Sequence, residues 1–380
     1  MNKKLYGVFA IMLIAVFTLT ACAKETPVAT ETPVVIEETT APVAEEPCLI
    51  IGATYGGPIN DAGYNWAMHE SVMKIKENIA CVEIVEAENV YDEAGATATI
   101  EQMIQQQGAK MIIATAFSHM NPAYELATKY PDVIFEHAGG YLMGANFANF
   151  FGKPPDVWYA KGVAAGMMTK TNKLGFVAAF PLGWTLTFAN AFHLGAKSVN
   201  PDVVTEVKFT YAWGDSTKEA EVTNALINNG ADVITMHVDS PATVLSTAES
   251  RGVYSIGFQS LAAQQFAPKY WIVGSGFTLG DKLTWLTSTV LDKTWTPIFL
   301  RCSLSEGCMA LSDFGPEVPQ EVKDKVTQTL ADLDAGTIVT FAGPIKDQDG
   351  NIVVKEGEVL TDEQMSNVTW FVQGMVGSPK

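Results

Sequence analysis

From residue 49 onward, short apolar runs alternate with longer stretches whose apolar residues recur every three or four positions. The short runs at 49–54, 82–87, 111–116 and 133–137 read as strands. Helical spacing occupies the intervals around 66–79, 93–107 and 121–129. Alternation of this kind predicts a parallel sheet with helices on both faces. The Gly-rich, aromatic stretch 139–151 breaks the rhythm, as a chain leaving one domain for another would. A second series follows a helix near 156–170. Its strands fall at 174–179, 203–210, 233–238 and 254–258, with helices near 185–198, 215–229 and 241–250. A strand at 270–276, a helix at 277–291, and hairpin-like pieces at 296–312 and 337–359 around a helix at 316–334 complete the pattern. No repeat is short enough for a solenoid. Two halves with one βα rhythm predict paired domains joined by several connecting strands, with a ligand cleft between them.

The N-terminus departs from this pattern. Lys3 and Lys4 precede an apolar stretch, residues 5–20, of signal-peptide length and short for a membrane span. It ends in Leu19-Thr20-Ala21-Cys22, which looks like the lipobox of a bacterial lipoprotein. Residues 1–21 are thus expected to be a signal peptide and Cys22 a lipidated residue, anchored by more than one acyl chain. Residues 23–46 carry six Glu and one Lys among Thr, Pro, Val and Ala. Such a segment repels itself and stays extended, so 22–46 reads as a tether.

Composition narrows the function. The chain has 380 residues, 48% hydrophobic and 17% charged, enough for two packed domains. A formal charge of −18 leaves little to neutralise phosphates and argues against nucleic acid. Outside the cytosol the four cysteines after Cys22 can pair. Cys48 and Cys81 each open a strand, and starts of parallel neighbours lie side by side; Cys302 and Cys308 flank a short polar loop. No histidine or further cysteine stands at metal-ligand spacing, so disulfides are expected and no metal site.

The turn Tyr55-Gly-Gly-Pro-Ile-Asn-Asp-Ala-Gly-Tyr-Asn-Trp66 joins the first strand to the first helix, at the sheet edge where open α/β folds bind ligands. It is no G-x-G-x-x-G fingerprint, and Asp61 just inside the helix would repel phosphate. There is no P-loop and no G-x-S-x-G, and the histidines have no partnered cysteine nucleophile. Neither catalysis nor a cofactor is expected.

Several stretches carry a resemblance: Asp61-Ala-Gly-Tyr-Asn-Trp66, Pro131-Asp-Val-Ile-Phe-Glu-His137, the run from Met168 to Phe180, His237-Val-Asp-Ser-Pro241, Phe341-Ala-Gly-Pro-Ile345 and Trp370-Phe-Val-Gln-Gly374. In that order the chain, from about residue 48 to 376, resembles the basic membrane protein family of ABC-transporter substrate-binding lipoproteins. That family includes the purine-nucleoside receptors, and the chain is most similar to its branch for free purine bases such as adenine. The resemblance implies a type I periplasmic-binding-protein fold: two Rossmann-like lobes with parallel sheets, joined by three hinge crossovers and closing on ligand. Lobe 1 is expected to comprise 47–147 plus about 260–295, and lobe 2 148–259 plus about 296–376. It further implies a monomer, anchored by lipid outside the cytoplasm, that passes its ligand to an ABC permease.

Aromatic residues at predicted strand ends, Tyr64, Trp66, Phe117, Phe180 and Trp213, would stack a planar heterocycle at roughly 1–3 kcal/mol per ring. Each could equally pack the core. Asp239 can accept from a purine N–H or cap the helix that follows; Asp61 has the same two readings. Asn65 and Gln259 would read polar edges of the ring. In the nucleoside-binding members the resemblance implies an Asp where Gln259 stands and a Lys in the next strand, both on ribose hydroxyls. Here 272–277 holds no lysine, so a free base is expected. The alternatives are a nucleoside, a sugar, or a ligand sensed for a membrane receptor.

Overall fold

A computed structural model describes residues 46–379. The predicted leader, Cys22 and nearly all of the tether lie outside the described residues. Strands β1 (Leu49–Thr54), β2 (Val82–Ala87), β3 (Met111–Ala114), β4 (Ile134–Ala138) and β5 (Phe147–Gly152) enclose helices α1 (Tyr64–Asn78), α2 (Glu93–Gln105) and α3 (Met120–Lys129). The chain continues through α4 (Pro154–Met168), β6 (Lys173–Ala178), α5 (Gly183–Val199), β7 (Val204–Phe209) and α6 (Ser216–Asn228). Next come β8 (Val233–His237), α7 (Ala242–Ser250), β9 (Tyr254–Gly257) and β10 (Trp271–Phe277). Last are α8 (Gly280–Leu291), β11 (Phe299–Cys302), β12 (Met309–Leu311), α9 (Gln320–Asp334), β13 (Ile345–Lys346), β14 (Ile352–Val354), α10 (Asp362–Ser366) and β15 (Met375–Val376).

Two large sheets result, ordered β11-β5-β4-β3-β1-β2 and β12-β10-β9-β8-β6-β7-β15, and β13 pairs antiparallel with β14 apart from them. The central strands β3, β8 and β10 are buried along their whole length, as strands covered by helices on both faces must be. At the edge, β2 is less covered, with Glu83 and Glu86 both exposed. Pairing is parallel throughout the two sheets except where β12 closes antiparallel on β10. Helices α4 and α5 pack backbone to backbone: a Cβ on Gly162 would lie 2.0 Å from the Phe192 carbonyl oxygen, and one on Gly195 1.9 Å from that of Tyr159. Cys48 is bonded to Cys81 and Cys302 to Cys308.

The lobes divide the chain differently from the expected boundaries. Strand β5, placed beyond a boundary at 147, pairs with β4 and belongs to the first sheet. Strand β10, assigned to lobe 1, pairs with β9 in the second. The expected hairpin at 296–312 is absent: β11 pairs with β5 and β12 with β10, so this segment crosses between lobes. For β5 and β10, both almost wholly buried, the physical reason is shared. A strand buried on both faces carries no polar alternation to say which sheet accepts it. The crossings therefore fall at residues 152–154, 277–280 and 302–309.

Candidate functional site

The turn after β1 is tied down by its own polar groups. Asp61 Oδ1 accepts from the Gly63 amide at 2.7 Å and the Trp66 amide at 3.0 Å. Its Oδ2 accepts from the Asn65 amide at 3.2 Å and from Asn65 Nδ2 at 2.9 Å. Four donors on one carboxylate satisfy the first turn of α1, the cap reading of Asp61. Asn65 is buried and its Oδ1 accepts from the Gly57 amide at 3.1 Å, so it braces the turn. Trp66 joins none of the ring contacts among the described residues.

At the same turn the two lobes touch. The Tyr64 amide donates to the Asp239 carbonyl at 2.9 Å. A Cβ on Gly63 would stand 1.9 Å from that carbonyl oxygen, so the approach requires glycine. Tyr64 also donates its hydroxyl to the Thr115 carbonyl at 2.7 Å, with its ring edge-on to Phe277 at 6.0 Å. Burial, and then the nearby Asp239, push its phenol well above the ordinary range.

Behind this contact the carboxyl ends of the second sheet hold an aromatic cluster. Trp184 and Trp213 lie nearly parallel, 14° apart with centroids at 5.6 Å. Phe180 packs on Trp213 at 5.5 Å, and Phe117 reaches over from the first lobe to within 6.3 Å of Trp184. His237 sits among Trp184, Phe188, Trp213 and Phe258 at 4.9, 5.1, 5.6 and 5.6 Å. Phe258 and Phe277, 5.6 Å apart, continue the contacts to Tyr64. The structure thus brings together Tyr64, Phe117, Phe180 and Trp213 of the sequence candidates.

Trp184, His237, Phe258 and Phe277 are additions. Trp184 stands in the strand-to-helix turn that it shares with Phe180, but the related branch usually has other residues there, so the resemblance gives it no role. The others close apolar strands, where sequence cannot tell a cleft from a core.

The polar groups here are short of partners. Asp239 is half-buried, and its amide donates to the Trp213 carbonyl at 2.8 Å. Burial, and then Asp61 and Glu219, push its carboxyl up to about 8. Asp61 and Glu219 are also raised, each chiefly by burial. Three carboxyls converge, and no ion pair at 4 Å or less among the described residues includes any of them.

Gln259 is buried with a left-handed φ of 82°, a conformation costing a non-glycine residue about 1–2 kcal/mol. Its Nε2 donates to the Val238 carbonyl at 3.2 Å, while its Oε1 has no partner. Thr185 Oγ1 and His237 Nδ1 are likewise unpartnered. Burial, and then Lys161, push His237 down to about 3, so its imidazole is neutral. Lys161 donates to the Gly257 carbonyl at 3.1 Å and lies 3.3 Å from the Trp158 ring centroid. Unpartnered buried polar atoms are costly, and cluster where a ligand would complete them.

Glu136 and His137 belong to the first lobe. Glu136 accepts from Trp295 Nε1 at 2.8 Å and burial pushes it up to about 8. His137 Nε2 lies 3.0 Å from the Ala116 carbonyl, and burial pushes it down to about 4. A cavity of about 190 Å³ lies elsewhere, beside the third crossing, lined by Lys153, Val157, Leu304 and Leu330 among others.

The family model described as ABC transporter substrate-binding protein, PnrA-like, matches residues 49–349. A purine-binding protein of Brucella abortus is 33% identical over 328 residues, covering 86% of this chain and 93% of its own. A putative ABC transporter glucose-binding protein of Haloferax volcanii is 31% identical over 326 residues, 85% of this chain and 79% of its own. Among solved structures, an ABC transporter solute-binding protein of Conexibacter woesei superposes with a TM-score of 0.64 at 20% identity, covering 76% of this chain and 97% of that one. At that identity the likeness speaks for the fold.

Proposed function

The chain belongs to the PnrA-like family of ABC transporter substrate-binding proteins, and from that premise we propose that its ligand is a purine base gripped between the lobes. Membership makes it an extracytoplasmic solute-binding protein, partnered by a permease, and not an enzyme. The observation that carries the finer reading is the near-parallel pair Trp184 and Trp213 beside unpartnered acceptors. A planar ring between two indoles needs roughly 7 Å, two stacking separations of about 3.5 Å. The pair at 5.6 Å would part slightly to admit it.

Asp239 and the free Gln259 Oε1 then meet N–H groups on the edge of the ring. A carboxyl raised to about 8 is relieved by such a donor, while an anionic ligand would aggravate it. No lysine stands in β10 to hold a ribose, which favours the base over the nucleoside. The Brucella relative's purine-binding description supports this reading. The Haloferax relative's glucose-binding description supports a sugar, which would stack on the same indoles but leave the acceptors to its hydroxyls.

Ligand released on denaturing the purified protein and identified by mass spectrometry tests the proposal. A purine is expected; a hexose or pentose without any purine overturns it. Cys22 is proposed as the lipid anchor, and the mass of the N-terminal peptide, with or without a diacylglyceryl group, decides that.

A further inference from the structure

Three segments join the lobes, and two of them are short: residues 152–154 and 277–280. The third, 302–309, would be twice as long. A disulfide between its Cys302 and Cys308 holds their Cα atoms 5.7 Å apart. Without that bond the six-residue span could extend to roughly 20 Å, so the third link would become a slack tether.

The bonded cysteines also receive the other two crossings. The Lys153 amide donates to the Cys302 carbonyl at 2.8 Å, and the Thr278 amide to the Cys308 carbonyl at 3.0 Å. Thr278 Oγ1 donates to the Gly307 carbonyl at 3.0 Å. Both cysteines are buried, at 1% and 0% exposure. The cavity described above lies against the same loop, at Ser303, Leu304 and Ser305, and gives a released loop somewhere to move.

We propose that the Cys302–Cys308 disulfide is the positioning element of the hinge: it makes the third crossing as short as the others and fixes the carbonyls on which they rest. Lobe opening is thereby limited, and ligand retention depends on the bond. The inference rests on closure of the lobes around a ligand and is indifferent to which ligand that is.

The test compares the full protein with C302S/C308S and with C48S/C81S, whose disulfide lies at the amino-terminal ends of β1 and β2. Small-angle X-ray scattering of ligand-free protein and stopped-flow Trp fluorescence with adenine are the readouts. C302S/C308S is expected to raise the radius of gyration and to speed dissociation about fivefold or more, dissociation being where affinity usually changes. C48S/C81S is expected to lower Tm and leave both readouts as in the wild type. If C302S/C308S lowers only Tm, the proposal is overturned.

Should that variant fail to fold, folded wild type is reduced with a phosphine, which breaks S–S, gives two S–H groups and becomes phosphine oxide with oxygen from water. Alkylation and mass spectrometry then locate the free thiols. Scattering that expands as Cys302 and Cys308 become alkylated supports the proposal, and a profile unchanged once both are alkylated overturns it. Wild type that binds no purine would overturn the ligand reading and leave the scattering comparison intact.

Discussion

The backbone amide of Tyr64, in the first lobe, donates to the backbone carbonyl of Asp239, in the second, at 2.9 Å. This contact exists only because Gly63 has no side chain. Gly63→Ala would place a methyl 1.9 Å from the Asp239 oxygen, inside any van der Waals distance. Closure should be blocked while each lobe folds as before. Loss of the hydrogen bond alone is worth about 1 kcal/mol, and with the clash a drop in affinity of about tenfold or more is expected. Titration calorimetry with the natural ligand checks this; an unchanged Kd would mean that the closed contact plays no part in binding.

Trp184→Ala and Trp213→Ala should each weaken binding by about 1–3 kcal/mol, the usual worth of a stacked aromatic. Trp66→Ala, outside the ring cluster, should change affinity about twofold at most. Fluorescence titration of the three variants separates the cases. Equal losses at all three positions would count against the indole slot.

Gln259→Gly offers two readouts of opposite sign. Glycine accepts the φ of 82° without strain, a gain of about 1–2 kcal/mol, against one lost hydrogen bond to Val238 of about 1 kcal/mol. Thermal stability should hold or rise slightly while ligand affinity falls. A loss of both would make Gln259 a structural residue only.

The pH dependence of ligand-free stability has a definite sign. Asp239 and Glu136, with ordinary values of 3.8 and 4.5, sit at about 8 in the folded protein, so folding takes up protons. The stability they contribute is fully present below their unfolded values and is lost as pH rises toward 8. His137 and His237, lowered to about 4 and about 3, act oppositely and only below their unfolded value of 6.5. Between pH 6.5 and 8 the two carboxyls contribute a downward slope in Tm, while buried Lys161, held well below its ordinary 10.5, contributes in the opposite direction. Asp239→Asn and Glu136→Gln should each flatten that slope in thermal scans. A slope left intact by both substitutions would show that other groups set it.

Much of the frame was legible because βα alternation is a local signal. The limits of β1 and β2 and the Cys48–Cys81 pairing follow from strand starts that lie side by side, and the Cys302–Cys308 pairing from the short loop the two flank. Sheet membership was not legible for β5, β10 and the 302–309 crossing. For the crossing the choice is made at long range, as where Phe299 pairs with Asn149, whereas β5 and β10 simply join the strands before them, β4 and β9, and their near-complete burial carries no sign of it. At the site, Tyr64 and Trp213 announce themselves as aromatics in turns. Asp61 and Asn65 carry the same polar signal as ligand contacts yet spend it on the helix start. His237 could not be singled out, since its neutral, unpartnered state is created by four rings from three other segments.

Cys48 has a consequence of a mechanical kind. It stands where the chain enters the folded unit, and its bond to Cys81 spans the starts of two parallel strands in register, Leu49 beside Val82. A pull arriving through the preceding residues cannot peel β1 from β2 one hydrogen bond at a time. It loads both strands along their length at once, in shear, where six residue pairs resist together. With the anchor proposed at Cys22, drag on the protein would enter the sheet without disturbing the cleft at the opposite strand ends.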